Sequence, residues 1–181
     1  MNNMMNIGAA IALIGVFVCL YLLAILGKTS WKARRHARKQ RQAARVFDKL
    51  ATISLAPQKL VYLRKIDPLV FEELILEALE RRGHQVFRSN SYSGDGGIDG
   101  RVIMNGKKFL IQCKRYGKHI SKQHVLDFAR ILERQQIRGM FVHTGRTGEF
   151  SKDFHKQHPW LTIISGQRLI DMLTIAEEPK A

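Results

Sequence analysis

A chain of 181 residues with 45% hydrophobic content has enough apolar material for one real core plus an appendage. Its formal charge of +15 favours polyanionic partners, either nucleic acid or the headgroups of acidic lipids. Two cysteines, Cys19 in an apolar run and Cys113 in a predicted strand, exclude a disulfide framework and a zinc cluster, and they suit a reducing compartment.

Residues 7–27, IGAAIALIGVFVCLYLLAILG, carry no charge and would reach about 31 Å as a helix, the thickness of bilayer hydrocarbon. They are expected to form a single transmembrane anchor. A cleaved signal peptide fits less well, because MNNMMN before the run has no Lys or Arg and no small-residue cleavage site closes it. Eight Lys or Arg follow within residues 28–45, and the first acid in the chain is Asp48. The positive-inside rule then leaves the C-terminal part in the cytoplasm, on the inner face of the plasma membrane. The same segment suits anionic lipid or nucleic-acid phosphates, although fixing topology is explanation enough. The expected organisation is therefore an anchor over 1–27, a basic connector over 28–58 and a folded domain over 59–181.

Within that domain Asp67 can cap a helix over about 68–82, with Pro68 in its first turn and Gly83 after it. Strands are expected at 85–88, 100–104 and 107–114, and a helix over 122–136 with Ser121 as its cap. A buried strand at 140–144, a short helix at 151–156, a strand at 161–164 and a closing helix at 167–175 complete the pattern. The order α-β-β-β-α-β with an α-β-α tail predicts an α/β fold, a central mixed sheet flanked by helices.

Asn105-Gly106 is a strong hairpin signal, since both central positions of a type I′ turn need positive φ. A two-residue turn pairs Met104 with Lys107 and, continuing outward, Gly100 with Ile111 and Asp99 with Gln112. Asp99, Gln112 and Lys114 then share one face, and Val102, Met104, Phe109, Ile111 and Cys113 take the other as core. A carboxylate beside an amide oxygen suits a hard cation, Mg²⁺ or Mn²⁺, and a neighbouring Lys can orient water or neutralise charge developing on a phosphodiester. On helix 68–82, Glu72 shares a stripe with Leu69, Leu76 and Leu79, whereas Glu73 lines up with Glu77 and Glu80 on the expected solvent face. Glu72 is the better candidate for the site, because an acid among leucines needs a cation or a hydrogen-bond partner. Asp95 reads as a turn residue, and His155 and His158 as surface histidines without a third ligand. Arg115, Lys118 and Lys122 follow the site closely and are candidates to hold flanking phosphates.

These residues resemble the catalytic domain of the Mrr family of restriction endonucleases, within the PD-(D/E)xK nuclease superfamily. The resemblance runs from about Ile66 to Leu173, through FEELI with its GHQV exit, SGDGGID, IQCK, GMFVHTG, EFS and LTIISGQRLI. It implies a restriction-endonuclease-like αβββαβ core and metal-dependent DNA cleavage. It also implies that Asp99 is the metal-binding acid, Gln112 the Gln variant of the usual acid, Lys114 the catalytic lysine and Glu72 the helix-borne acid. Gln112 leaves the site one negative charge short of the commoner acidic version, and larger residues follow EFS than in many relatives. The function expected is a membrane-anchored, Mg²⁺-dependent endonuclease acting on DNA. The alternatives are a catalytically silent, membrane-tethered nucleic-acid-binding protein and a lipid-binding membrane organiser using residues 28–45. A homodimer would make double-strand breaks easier, since one such site cuts one strand.

Overall fold

The computed structural model describes residues 2–89 and 97–174, with residues 2–13, 22–30 and 32 described by backbone only. The chain divides into two compact units, Met1–Arg38 and Lys39–Ala181.

The first unit is the N-terminal part of one helix, α1 (Asn2–Ala51). Ile14, Phe17, Leu20 and Tyr21 on it are exposed. Trp31 is exposed too, with the Arg35 guanidinium 5.8 Å from its ring centroid, a cation–π contact. The expected membrane span over 7–27 falls on this helix, and most of its side chains lie outside the described residues. Among the described residues no helix is long and apolar enough to cross a membrane, so the structure gives the anchor no support.

The second unit begins with the last turns of α1. There follow α2 (Ala56–Leu63), α3 (Pro68–Arg81), β1 (Gln85–Arg88), β2 (Gly100–Met104), β3 (Lys107–Lys114), α4 (Lys122–Gln135), β4 (Arg138–His143), α5 (Glu149–Gln157), β5 (Leu161–Ile164) and α6 (Gly166–Leu173). The five strands lie in sequence order, antiparallel from β1 to β3 and parallel from β3 to β5. This is the α/β fold with a mixed sheet that the sequence predicts. Asn105 and Gly106 take φ of 49° and 72°, and the turn sets the predicted register from Met104↔Lys107 to Gly100↔Ile111.

Alternation along β3 divides the core in two. Ile111 and Cys113 face α3 and α6 together with Val102, Met140 and Val142, whereas Leu110 faces α4 with Phe141 and Ile163. Ala43, Val46, Phe47 and Leu50 at the end of α1 belong to the first cluster, so the core extends well before the expected boundary at residue 59. Asp67 caps α3, accepting from the amides of Leu69 at 2.9 Å and Val70 at 3.2 Å. Lys39 of α1 reaches the same carboxylate at 2.9 Å. Ser121 precedes α4 as expected but makes no side-chain cap.

The expectation for Glu73 is corrected. It is 2% exposed, and its carboxylate accepts from Arg88 Nε at 3.1 Å, while Arg88 Nη2 reaches Glu80 at 2.6 Å and Glu77 at 3.7 Å. Helical spacing placed Glu73 with its acidic neighbours correctly. What spacing omits is that β1 carries a guanidinium over that stripe, which lets it be buried.

Candidate active site

The site forms where β2 and β3 part. The ladder stops at Gly100↔Ile111, so Asp99 does not continue it as the direct partner of Gln112. Instead the Asp99 amide donates to the Ile111 carbonyl at 2.9 Å, and its Oδ2 accepts from the Cys113 amide at 2.6 Å. A strand amide that has lost its ladder partner is thus satisfied by a carboxylate, which fixes Asp99 at the end of β3. Gln112, 5% exposed, donates from Nε2 to the Gly97 carbonyl at 2.7 Å. Gly97 has φ of 87°, and a Cβ there would lie 2.4 Å from Gln112 Nε2, so a side chain would displace the amide. That contact explains one glycine of SGDGGIDG; residues 90–96, including Asp95, lie outside the described residues.

Glu72, on α3, faces this point. Burial pushes its carboxyl up to about 8, and the negative charge of Asp99 adds to the rise while Lys114 opposes it. Burial likewise pushes Asp99 up to about 6, against the Cys113 amide and the Lys114 ammonium. Two carboxylates that raise their proton affinity in one place, with a lysine between them in electrostatic effect, form a negative site short of positive charge. Gln112 Oε1 is buried with no hydrogen-bond partner among the described residues. No group of three or more His, Cys, Asp and Glu that could hold a metal occurs among the described residues. The set here uses two carboxylates and an amide oxygen, all hard donors, and it fits a Mg²⁺- or Mn²⁺-type cation. The structure therefore brings Asp99, Gln112, Lys114 and Glu72 to one strand exit, with Asp99 held by backbone bonds rather than by the predicted pairing.

Of the residues expected to grip phosphates, Arg115 is exposed and donates from Nη1 to the Arg64 carbonyl at 2.6 Å. Lys118 is exposed, and Lys122 Nζ lies 5.1 Å from the Phe150 ring centroid. His155 and His158 are partly buried, bonding the carbonyls of Leu161 and Phe154, which explains them as fasteners of the α5–β5 connection.

Sequence reasoning missed the polar end of β4. His143, fully buried, stands beside Lys114 in the parallel register, and its Nε2 is 3.1 Å from Thr147 Oγ1, which in turn is 2.9 Å from Ser165 Oγ. Burial pushes His143 down to about 4, so it is neutral at physiological pH. The Thr144 hydroxyl joins both the amide and the carbonyl of Tyr116 at 2.9 Å, tying the exits of β3 and β4 together. The available signal was two polar residues, His143 and Thr144, closing an apolar strand. Carboxyl ends of parallel strands are where such folds place ligands.

Sheet, helices and polar strand exits together define a restriction-endonuclease-like α/β domain. Restriction endonucleases of the Mrr type match residues 63–173 as a family, and the chain belongs to that family. It is 27% identical over 128 residues to the type IV methyl-directed restriction enzyme EcoKMrr of Escherichia coli strain K12, covering 66% of this chain and 42% of that one. The chain thus spans about two fifths of that relative's length. Among solved structures it is similar to the MspJI restriction endonuclease in complex with a 27-mer oligonucleotide. That match has 19% identity and a TM-score of 0.38, over 74% of this chain and 30% of that one.

Proposed function

We propose that the chain is a divalent-metal-dependent endonuclease that hydrolyses DNA phosphodiester bonds. The observation that carries this is a buried pair of acids, Glu72 and Asp99, each acted on by the Lys114 charge, at the strand end where Gln112 Oε1 is buried without a partner among the described residues. The membership of the chain in a restriction endonuclease family supports it.

Asp99, Glu72 and Gln112 Oε1 would hold the cation, Mg²⁺ or Mn²⁺. When bound, such an ion polarises the phosphodiester and acidifies a water molecule. Asp99 is held rigidly by the Cys113 amide, so its ligand geometry is set before substrate arrives. The Lys114 ammonium, two residues beyond Gln112 on the same strand face, orients the attacking water and offsets charge building on the phosphoryl oxygens. Arg115, Lys118 and Lys122 are proposed to hold phosphates on either side of the cut. We further propose that residues 7–27 anchor the enzyme in the inner membrane as a single pass, with the nuclease on the cytoplasmic side. The support is the uncharged run followed by the basic segment 28–45, which also suits anionic lipid.

Plasmid nicking by the wild type, Asp99→Ala and Lys114→Ala, compared across Mg²⁺, Mn²⁺ and Ca²⁺, tests the assignment. Each substitution is expected to lower the nicking rate by about 100-fold or more, with DNA retention largely kept. Equal nicking by all three proteins rejects these roles. DNA retention without nicking in any metal favours a silent binding module.

A further inference from the structure

The helix α4 covers only part of its side of the sheet. Its cluster takes Leu110 of β3, Phe141 of β4 and Leu161 and Ile163 of β5, but no residue of β1 or β2. Over those two strands lies a groove of about 370 Å³, lined by Gln85, Phe87, Arg101, Ile103, Lys108 and Ile137. Cross-strand pairing puts Phe87 opposite Arg101, Ile103 opposite Lys108, and Arg101 opposite Leu110. Opposed residues share a face, and along β3 that face continues from Lys108 through Leu110 to Gln112 and Lys114. The groove and the Gln112 and Lys114 positions of the candidate active site therefore lie on one face of the sheet, with the buried Leu110 between them.

Phe87 is 47% exposed, although it sits in a strand. Arg101 and Lys108 are exposed, and neither has an ion-pair partner among the described residues. The groove lining contains no acid. An exposed aromatic ring on the edge strand, with two uncommitted cations beside it on β2 and β3, is the combination that receives an unpaired nucleotide, its base on the ring and its phosphates on the charges. A second copy of the chain is disfavoured, because two such basic faces on a chain of charge +15 would repel.

We propose that this surface is a stacking platform for an unpaired segment of the nucleic acid being cut, with Phe87 taking a base and Arg101 and Lys108 the adjoining phosphates. The substrate it selects is DNA with a single-stranded tract, flap or displaced strand beside the scissile bond. The proposal deepens the nuclease reading and rests on it for the word substrate, but the binding surface can be tested without cleavage.

The test is fluorescence anisotropy with the full-length chain in detergent and EDTA, using a labelled single strand and a blunt duplex of the same sequence. Phe87→Ala is expected to weaken single-strand binding about tenfold and duplex binding less than about twofold, while Phe87→Trp keeps wild-type affinity. Arg101→Ala and Lys108→Ala are each expected to weaken binding to both probes and to lower the salt slope by about one. Wild-type single-strand affinity in all three alanine variants overturns the proposal. So does a wild-type dimer that Phe87→Ala converts to monomer in sedimentation, which would make the groove a self-association face. A chain that cuts nothing in any metal but loses single-strand binding on Phe87→Ala keeps the platform and rejects only the nuclease reading.

Discussion

Glu72 and Glu73 are neighbours on α3, yet they sit in opposite electrostatic worlds. Around Glu73 the charges are answered: Arg88 reaches it at 3.1 Å and extends to Glu80 at 2.6 Å. Around Glu72 they are not, and burial together with the charge of Asp99 holds its carboxyl near 8. A buried acid with its cation in place stabilises the fold locally. A buried acid whose neighbour is another acid costs stability until a further cation arrives, and that cost marks the place built for a ligand.

The contrast can be broken most strongly on its satisfied side. Glu73→Ala leaves Arg88 partly buried with only the exposed ends of its network, and about 3 kcal/mol of unfolding free energy should be lost. Urea denaturation reads that loss directly, while nicking per folded molecule should persist. Gly97→Ala attacks the frustrated side. The positive φ and the clash with Gln112 Nε2 should cost about 1–3 kcal/mol, and nicking should fall well beyond what the unfolded fraction explains.

The smallest effect sharpens the contrast through pH. Glu72 sits near 8 in the folded protein against an ordinary 4.5, so between those values the folded state binds more protons than the unfolded one. The stabilising proton is fully present below about 4.5 and is lost as pH rises through 8, so the metal-free protein should become less stable across that window. Denaturation midpoints in EDTA should fall from pH 5 to 8, Mg²⁺ should restore them at the alkaline end, and Glu72→Gln should flatten the slope. A midpoint independent of pH in the wild type would contradict the burial assigned to Glu72.

Much of this was legible in the chain because it is written in local chemistry. Asn105-Gly106 dictates its own turn and, through it, five rungs of pairing. Leucine spacing picks out Glu72 for the same reason. The rest depends on what another element brings. Glu73 reads as a solvent residue until β1 delivers Arg88, and Asp99 reads as a ladder rung until β2 ends one residue short of it. Ala43, Val46, Phe47 and Leu50 have core spacing, but they follow so many basic residues that charge masks their apolar stripe. The polar exits of β3 and β4 were hidden because Tyr116 meets Thr144, and Thr147 meets His143 and Ser165, only after the strands pair.

The carboxylate that starts α3 has two duties, for Asp67 holds helix amides and Lys39 at once. A fragment trimmed to begin at residue 59 would discard that lysine along with Phe47 and Leu50, baring a greasy patch over α3 and α6. Such a fragment should clump on purification and carry a loosened α3, whereas one beginning at or before Lys39 should stay soluble and intact.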